Sequence, residues 1–204
     1  FQDKKSGLRL DPQNFVFSPT ALLEYNECPK KYELGKILQM PSVGDFEWSG
    51  ASTGSFIHKL LEDGVQDKFS TLKQFVDLSK EMAELPEWEG VDLKDVENLL
   101  KVFWARNEGH YDEKSLVEEK LPLKIDGFSF FGIADRIDID KEGATIIDYK
   151  TNGSALDATH RSWQLGYYAL AAQAKGWKVK KLVLEMLRLE KPVEMTVVGD
   201  EVKG

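Results

Sequence analysis

GIADRIDIDKEGATIIDYKT, from Gly132 to Thr151, reads as two strands joined by a polar turn, and it decides the fold of the second half of the chain. Side chains on a strand alternate between faces. Asp135 is therefore in phase with Phe131, Ile133, Ile137 and Ile139, while Asp148 and Lys150 are in phase with Ile146. Two carboxylates and an ammonium on an apolar face cost several kcal/mol unless something pairs with them. A divalent cation between the carboxylates and a phosphate near the lysine would supply that partner, which points to an enzyme. The turn Asp140-Lys141-Glu142-Gly143 is polar and ends in glycine, as a hairpin connection should. An even loop, either Lys141–Glu142 or Asp140–Gly143, sets Asp135 opposite Asp148 with Cβ atoms roughly 4.5–5.5 Å apart. Carboxylates that close repel when both ionise, and a bound cation relieves the repulsion. An odd loop would set Asp135 against Tyr149 and spoil the site. The even loop is the expectation.

The chain has 204 residues, 42% apolar and 11% aromatic, enough for a proper core. We expect one domain over 1–204, with a mainly helical lobe at 17–110 and an α/β core at 115–204. The net charge of -8 does not advertise a polyanion partner, so a nucleic-acid enzyme would have to concentrate positive charge locally. The single cysteine, Cys28, excludes an internal disulfide and a four-cysteine metal or iron–sulfur site within this chain. No apolar run is long enough to span a membrane and no signal peptide is evident, so a cytoplasmic protein without membrane partners is expected. The chain opens on Phe1 rather than Met, as a trimmed or excised chain would.

Ser18-Pro19 is a helix start, with serine as cap and proline in the first turn. That helix should break at Cys28-Pro29, because the residue before proline avoids helical backbone. A short helix follows over Lys30 to Ile37, and residues 40–50 read as a loop. Helical spacing returns at Ala51–Val65, 71–84 and 92–108. Strands are expected at 116–126, 129–139 and 144–150, a helix near 160–175 ending at Gly176, and strands at 182–184 and 193–198. This order describes an α/β core with a helical lobe in front of it.

Several of these segments, taken in order, resemble the PD-(D/E)XK nuclease superfamily, in the branch of the RecB nuclease domain and its AddA/AddB relatives. FSPTALLEYNECPKKYEL (17–34) is similar to the family's opening helix with its Cys-Pro break. GSFIHKLLE (54–62) is similar to its histidine-bearing helix, and Val117-Glu118 to the strand before the site. GIADRID (132–138), DYKT (148–151) and QLGYY (164–168) are similar to the first catalytic aspartate, the Asp-x-Lys core and the trailing Gln-Leu-x-x-Tyr helix. The resemblance implies a restriction-endonuclease-like core, a mixed central sheet flanked by helices. It implies Mg²⁺ or Mn²⁺ held by His58, Asp135, Asp148 and the Tyr149 carbonyl, with Lys150 on the phosphate or the attacking water. Gln164 and Tyr168 would brace the lysine, the water or a phosphate, and Glu118 would be a supporting acid, with Glu119 as the alternative. Relatives that hold an iron–sulfur cluster carry three later cysteines, which this chain lacks, so no cluster is expected. The implied substrate is DNA, as single strands or duplex ends, in repair or recombination. A helicase partner is implied for some relatives, and since the chain has no GxxxxGK[ST] loop, any motor lies elsewhere.

Plainer readings stand beside these. Asp148 and Lys150 alone would be an ordinary surface ion pair, and His58, Gln164 and Tyr168 could be packing residues. Cys28 reads as a small core residue, and Asp138 and Asp140, sharing a face with Arg136, as solvated. Lys30, Lys31, Arg136 and Arg161 are candidates for contacting nucleic acid, with Lys175, Lys178, Lys180 and Lys181 along the same path. Phe46, Trp48, Trp163 and Tyr167 could stack on unpaired bases, with core packing the better reading for Trp163 and Tyr167. A non-catalytic DNA-end-binding module and a small-molecule phosphoesterase are the contrasting functions.

Overall fold

The computed structural model describes residues 15–40, 52–107, 115–152, 155–198 and 201–203. After a two-residue strand β1 (Val16–Phe17), the Ser18 side chain accepts a hydrogen bond from the Ala21 amide and Pro19 opens α1 (Pro19–Glu27). Pro29 holds Cys28 in extended backbone, φ -155° and ψ 97°, which ends the helix. Cys28 Sγ then accepts from the Lys31 amide at 3.4 Å and caps α2 (Pro29–Tyr32), which runs on as a π-helical turn over Glu33–Ile37. Cys28 is exposed rather than a core residue, because the corner that proline imposes lies at the surface.

Helices α3 (Thr53–Gln66), α4 (Leu72–Ala83) and α5 (Leu93–Asn107) fall where the spacing places them. Their apolar stripes, Phe56, Leu60 and Leu61 with Phe75 and with Leu100 and Phe103, interlock over Ile147, Tyr149 and Val183 of the sheet and Leu187 just after β5. Each fully buried side chain of this kind contributes about 1.5–3 kcal/mol.

The sheet is built from β2 (Ser115–Ile125), β3 (Phe128–Ile139), β4 (Ala144–Lys150), β5 (Val179–Met186), β6 (Val193–Val198) and β7 (Glu201–Lys203), with β1 parallel to the start of β3. β2, β3 and β4 are antiparallel, β4 and β5 parallel, and β5, β6 and β7 antiparallel. A parallel pair needs a long crossover, and α6 (Ala155–Ala174) supplies it. Leu165, Tyr167, Tyr168 and Ala172 of α6 pack on Leu121, Ala134, Ile137, Ile146 and Leu184. The result is a mixed sheet with α6 on one face and α3–α5 on the other, the restriction-endonuclease-like arrangement that was expected. Among the described residues, no helix is long and apolar enough to cross a membrane.

The β3–β4 ladder pairs Ile139 with Ala144, so Asp140–Gly143 is a four-residue loop, even as expected. Asp140 Oδ1 accepts from the Glu142 and Gly143 amides at 2.8 and 3.1 Å. Gly143 has φ +145°, and a Cβ there would lie 2.4 Å from the Lys178 carbonyl oxygen, so only glycine fits.

Candidate active site

Three acids fall in one row across the sheet. Carried one step past Arg136↔Ile147, the β3–β4 ladder sets Asp135 opposite Asp148. On its other side, Asp135 faces Glu118, which lies between the pairs Val117↔Arg136 and Glu119↔Ala134. Beyond Arg136↔Ile147 the β3–β4 pairing stops, while β4 stays paired with β5 through Lys150↔Met186. The strands part at this row. The Tyr149 amide donates to Asp135 Oδ2 at 2.6 Å, standing in for the lost ladder.

Asp135 Oδ1 lies 3.3 Å from Nδ1 of His58, which α3 brings over the open ladder. Burial works against a charged His58, but the hydrogen bond and charge of Asp135 outweigh it and raise its pKa above the usual value. Asp148 is 1% exposed. Its Oδ1 accepts from Gln164 Nε2 at 3.0 Å, and the same amide nitrogen donates to the Tyr168 hydroxyl at 2.7 Å. The Tyr168 hydroxyl in turn donates to the Ile133 carbonyl at 2.7 Å. Gln164 and Tyr168 thus brace Asp148 rather than Lys150. Gly132 permits this, since a Cβ there would lie 2.6 Å from the Tyr167 ring and 2.9 Å from the Tyr168 ring.

The Lys150 ammonium lies against Asp148 Oδ2, yet that oxygen has no well-aligned hydrogen bond. Burial first, and the charge of Asp135 second, push the Asp148 carboxyl up to about 6 despite Lys150. Burial, then Asp135 and Glu62, also raise Glu118. Among the described residues, the buried side-chain polar atoms left without a hydrogen bond are Asp148 Oδ2 and Gln164 Oε1, and both belong here.

Strict strand alternation fails at this row. Ala134 and Ile137 sit in the same core under α6, an odd number of residues apart, and Leu116 packs against the same core as Leu121. Both strands change phase at Glu118 and Asp135, and Glu118 has a left-handed φ of +49°. Ile133 is consequently 36% exposed, so Asp135 does not share an inward face with Ile133 and Ile137. Asp148 keeps the phase of Ile146 as expected.

Arg136 is a further correction. It is 0% exposed and cannot meet a phosphate. Its Nε donates to Asp138 Oδ1 at 2.7 Å, Nη2 to Asp138 Oδ2 at 2.5 Å, and Nη1 to Asn107 Oδ1 at 3.0 Å. Asp138 is accordingly an internal partner and not a solvated acid. Trp163 is 72% exposed, whereas Tyr167 is buried as expected, because the inner face of α6 is filled by Gln164, Leu165 and Tyr168.

The row opens into a groove of about 630 Å³, lined by the start of α3, Glu118, Asp135 and Tyr149–Asn152, with Asp148 beneath it. Its lysines are Lys59 and Lys150. Lys30 and Lys31 pair with Glu33 and Glu24 on the surface, away from the groove. Lys175, Lys180 and Lys181 pair with Glu119, Asp140 and Glu194. The Lys175 pair turns Glu119 outward and leaves Glu118 as the groove acid. The side chain of Arg161 lies outside the described residues, as do Phe46 and Trp48. Glu62, one helical turn after His58, also lines the groove. Sequence reasoning passed over it, although the His58-x-x-x-Glu62 spacing puts both on one helix face.

Among the described residues, no three His, Cys, Asp or Glu side chains are gathered as a ready metal cage. The donor types nonetheless suit a hard divalent ion, since carboxylates, one imidazole and a carbonyl leave room for water. The buried Asp148 Oδ2 is paired with the Lys150 ammonium, with which an arriving cation would compete.

No curated protein matches the chain. A solved structure titled "Crystal structure of SSO0001" aligns with 84% of this chain and 76% of its own length, at 18% identity and a TM-score of 0.33, too distant to carry an argument. The profile of the PD-(D/E)XK nuclease superfamily matches residues 16–201, from β1 to the first residue of β7. The acid row, the Asp-x-Lys strand and the bracing helix all lie within that match, and the chain belongs to the PD-(D/E)XK nuclease superfamily.

Proposed function

We propose that this protein is a Mg²⁺- or Mn²⁺-dependent deoxyribonuclease, a RecB-like exonuclease acting on DNA ends or single strands in repair or recombination. The observation that carries the reading is Asp148. It is a buried carboxylate pushed up to about 6, braced by Gln164, paired with Lys150 and set across from Asp135. A group held at this cost serves chemistry more readily than stability.

Asp135, Asp148, His58 and the Tyr149 carbonyl would hold the ion. When bound, it supplies an acidified water and neutralises charge at the phosphodiester. Lys150, half-buried on the groove wall, donates hydrogen bonds to a non-bridging phosphate oxygen or orients the attacking water. Attack at phosphorus breaks one P–O bond, and the departing oxygen takes a proton. Gln164 and Tyr168 keep Asp148 in one rotamer throughout. Glu118 supports the row from β2, and a helicase partner would present the strand.

The test is degradation of labelled single- and double-stranded DNA, with open or blocked ends, in Mg²⁺, Mn²⁺ or EDTA. Wild type digests open ends only with metal. Asp148→Ala and Lys150→Ala each lower turnover on the order of 10³-fold, with unchanged circular dichroism. Undiminished cutting by both variants removes the mechanism, and equal cutting of blocked and open DNA removes the exonuclease assignment.

A further inference from the structure

Next to the acid row, where the end of α5 meets β3, lies a second polar cluster that the proposed chemistry does not use. Arg136 is completely buried, forked onto Asp138 and bonded to Asn107 at the end of α5. Asn107 is itself fixed through Nδ2 to the Phe103 carbonyl, and Ser115 donates to Asp138 Oδ1 at 2.6 Å. Nη1 also donates to the Tyr149 hydroxyl, at 3.4 Å. Burial opposes the charge on Arg136, but Tyr149 and Asp138 hold it positive.

Tyr149 is where this cluster reaches the site. Its amide holds Asp135 Oδ2, and its carbonyl belongs to the ligand set proposed above. Its ring meets His58 edge-on at 6.3 Å and Phe103 at 5.9 Å. Fixing the Tyr149 side chain therefore fixes the backbone and ring against which Asp135 and His58 are set. A buried ion pair is a poor source of stability, since apolar residues of similar size usually do as well. Its geometric hold on a neighbour is another matter.

We infer that Arg136 is a positioning residue, whose buried guanidinium, locked by Asp138 and Asn107, sets Tyr149 and through it the two sides of the cation site. The role rests on the metal-dependent nuclease reading. It acts where β3 and β4 part, beyond the last pair between those two strands.

The test replaces the pair by apolar residues, Arg136→Met with Asp138→Val, so that no lone charge is left buried. Free Mn²⁺ is followed by electron paramagnetic resonance, with kcat and KM on DNA and a thermal melt alongside. The variant is expected to melt cooperatively, to bind Mn²⁺ roughly tenfold more weakly and to lose roughly ten- to a hundredfold in kcat with KM unchanged. Tyr149→Phe, which deletes only the hydroxyl, moves Mn²⁺ affinity and kcat the same way by a smaller factor. Wild-type Mn²⁺ affinity and kcat per folded molecule in the double variant overturn the inference. If the double variant does not fold, unchanged values in Tyr149→Phe overturn it. A wild-type protein that binds no Mn²⁺ and cuts nothing sinks the nuclease reading instead, which keeps the two failures apart.

Discussion

Two buried ion pairs lie within a few residues of each other on β3 and β4, and they are finished to different degrees. Arg136–Asp138, on the α3–α5 face, is knit to Asn107, Ser115 and Tyr149. Lys150–Asp148, on the groove side, leaves Asp148 Oδ2 without a hydrogen bond, and its carboxyl is pushed up to about 6. Burial penalises both, but only the first gains enough donors and acceptors to close. The difference separates scaffold from reactive centre. A structural pair is closed by several further partners, and a working pair rests on one ammonium that an arriving cation can contest.

Arg136→Ala should break the closed pair most severely, leaving Asp138 without its counter-charge. The expected loss is about 3–5 kcal/mol, read from the denaturant midpoint. A loss comparable to a surface substitution would mean that the cluster is not the scaffold described.

The open pair should respond in the opposite direction. The folded pKa of Asp148, about 6, lies above its ordinary value of 3.8. The folded state therefore disfavours the carboxylate, and this group lowers stability progressively as pH rises from about 4 through 6. In EDTA, Asp148→Asn should be more stable than wild type at pH 7, by on the order of 3 kcal/mol. The gain should vanish near pH 4. A gain that is flat across this range would show that the carboxyl titrates normally.

The smallest expected effect is on the lysine. Its ammonium already neutralises Asp148, so a divalent ion must compete with it. Lys150→Met should bind Mn²⁺ about tenfold more tightly while losing turnover. Lys59→Met, which removes an equal charge paired with Glu62 and Asp63, should tighten binding less. Equal tightening in both would reduce the Lys150 pair to general electrostatics.

Much of the site could be read from the sequence because strands have a short period. The polar four-residue turn fixed the pairing of β3 with β4, and the register then placed Asp135 opposite Asp148. Arg136 was misread for the same reason. Alternation turned it outward with Asp138 and Asp140, but β3 is covered on both faces, and on the second face α5 brings Asn107 to meet it. Trp163 was misjudged through composition, since a tryptophan is usually packed and only the rotation of α6 decides which side chain faces out. Glu62 went unnoticed because its relevance depends on α3 lying over β2 and β3.

By itself the sequence determined the order of helices and strands from α1 to β6 (though not the short β1 and β7), the even loop and the identity of the groups with chemical potential. Those depend on local periodicity, capping and turn chemistry, which act over a few residues. Only the tertiary structure decided which acid is fully buried, where the strands change phase, and that an arginine expected at the surface is locked in the interior. Those depend on desolvation and on contacts between residues far apart in the chain, such as Asn107 with Arg136 and Gln164 with Asp148, and local patterns carry no record of them.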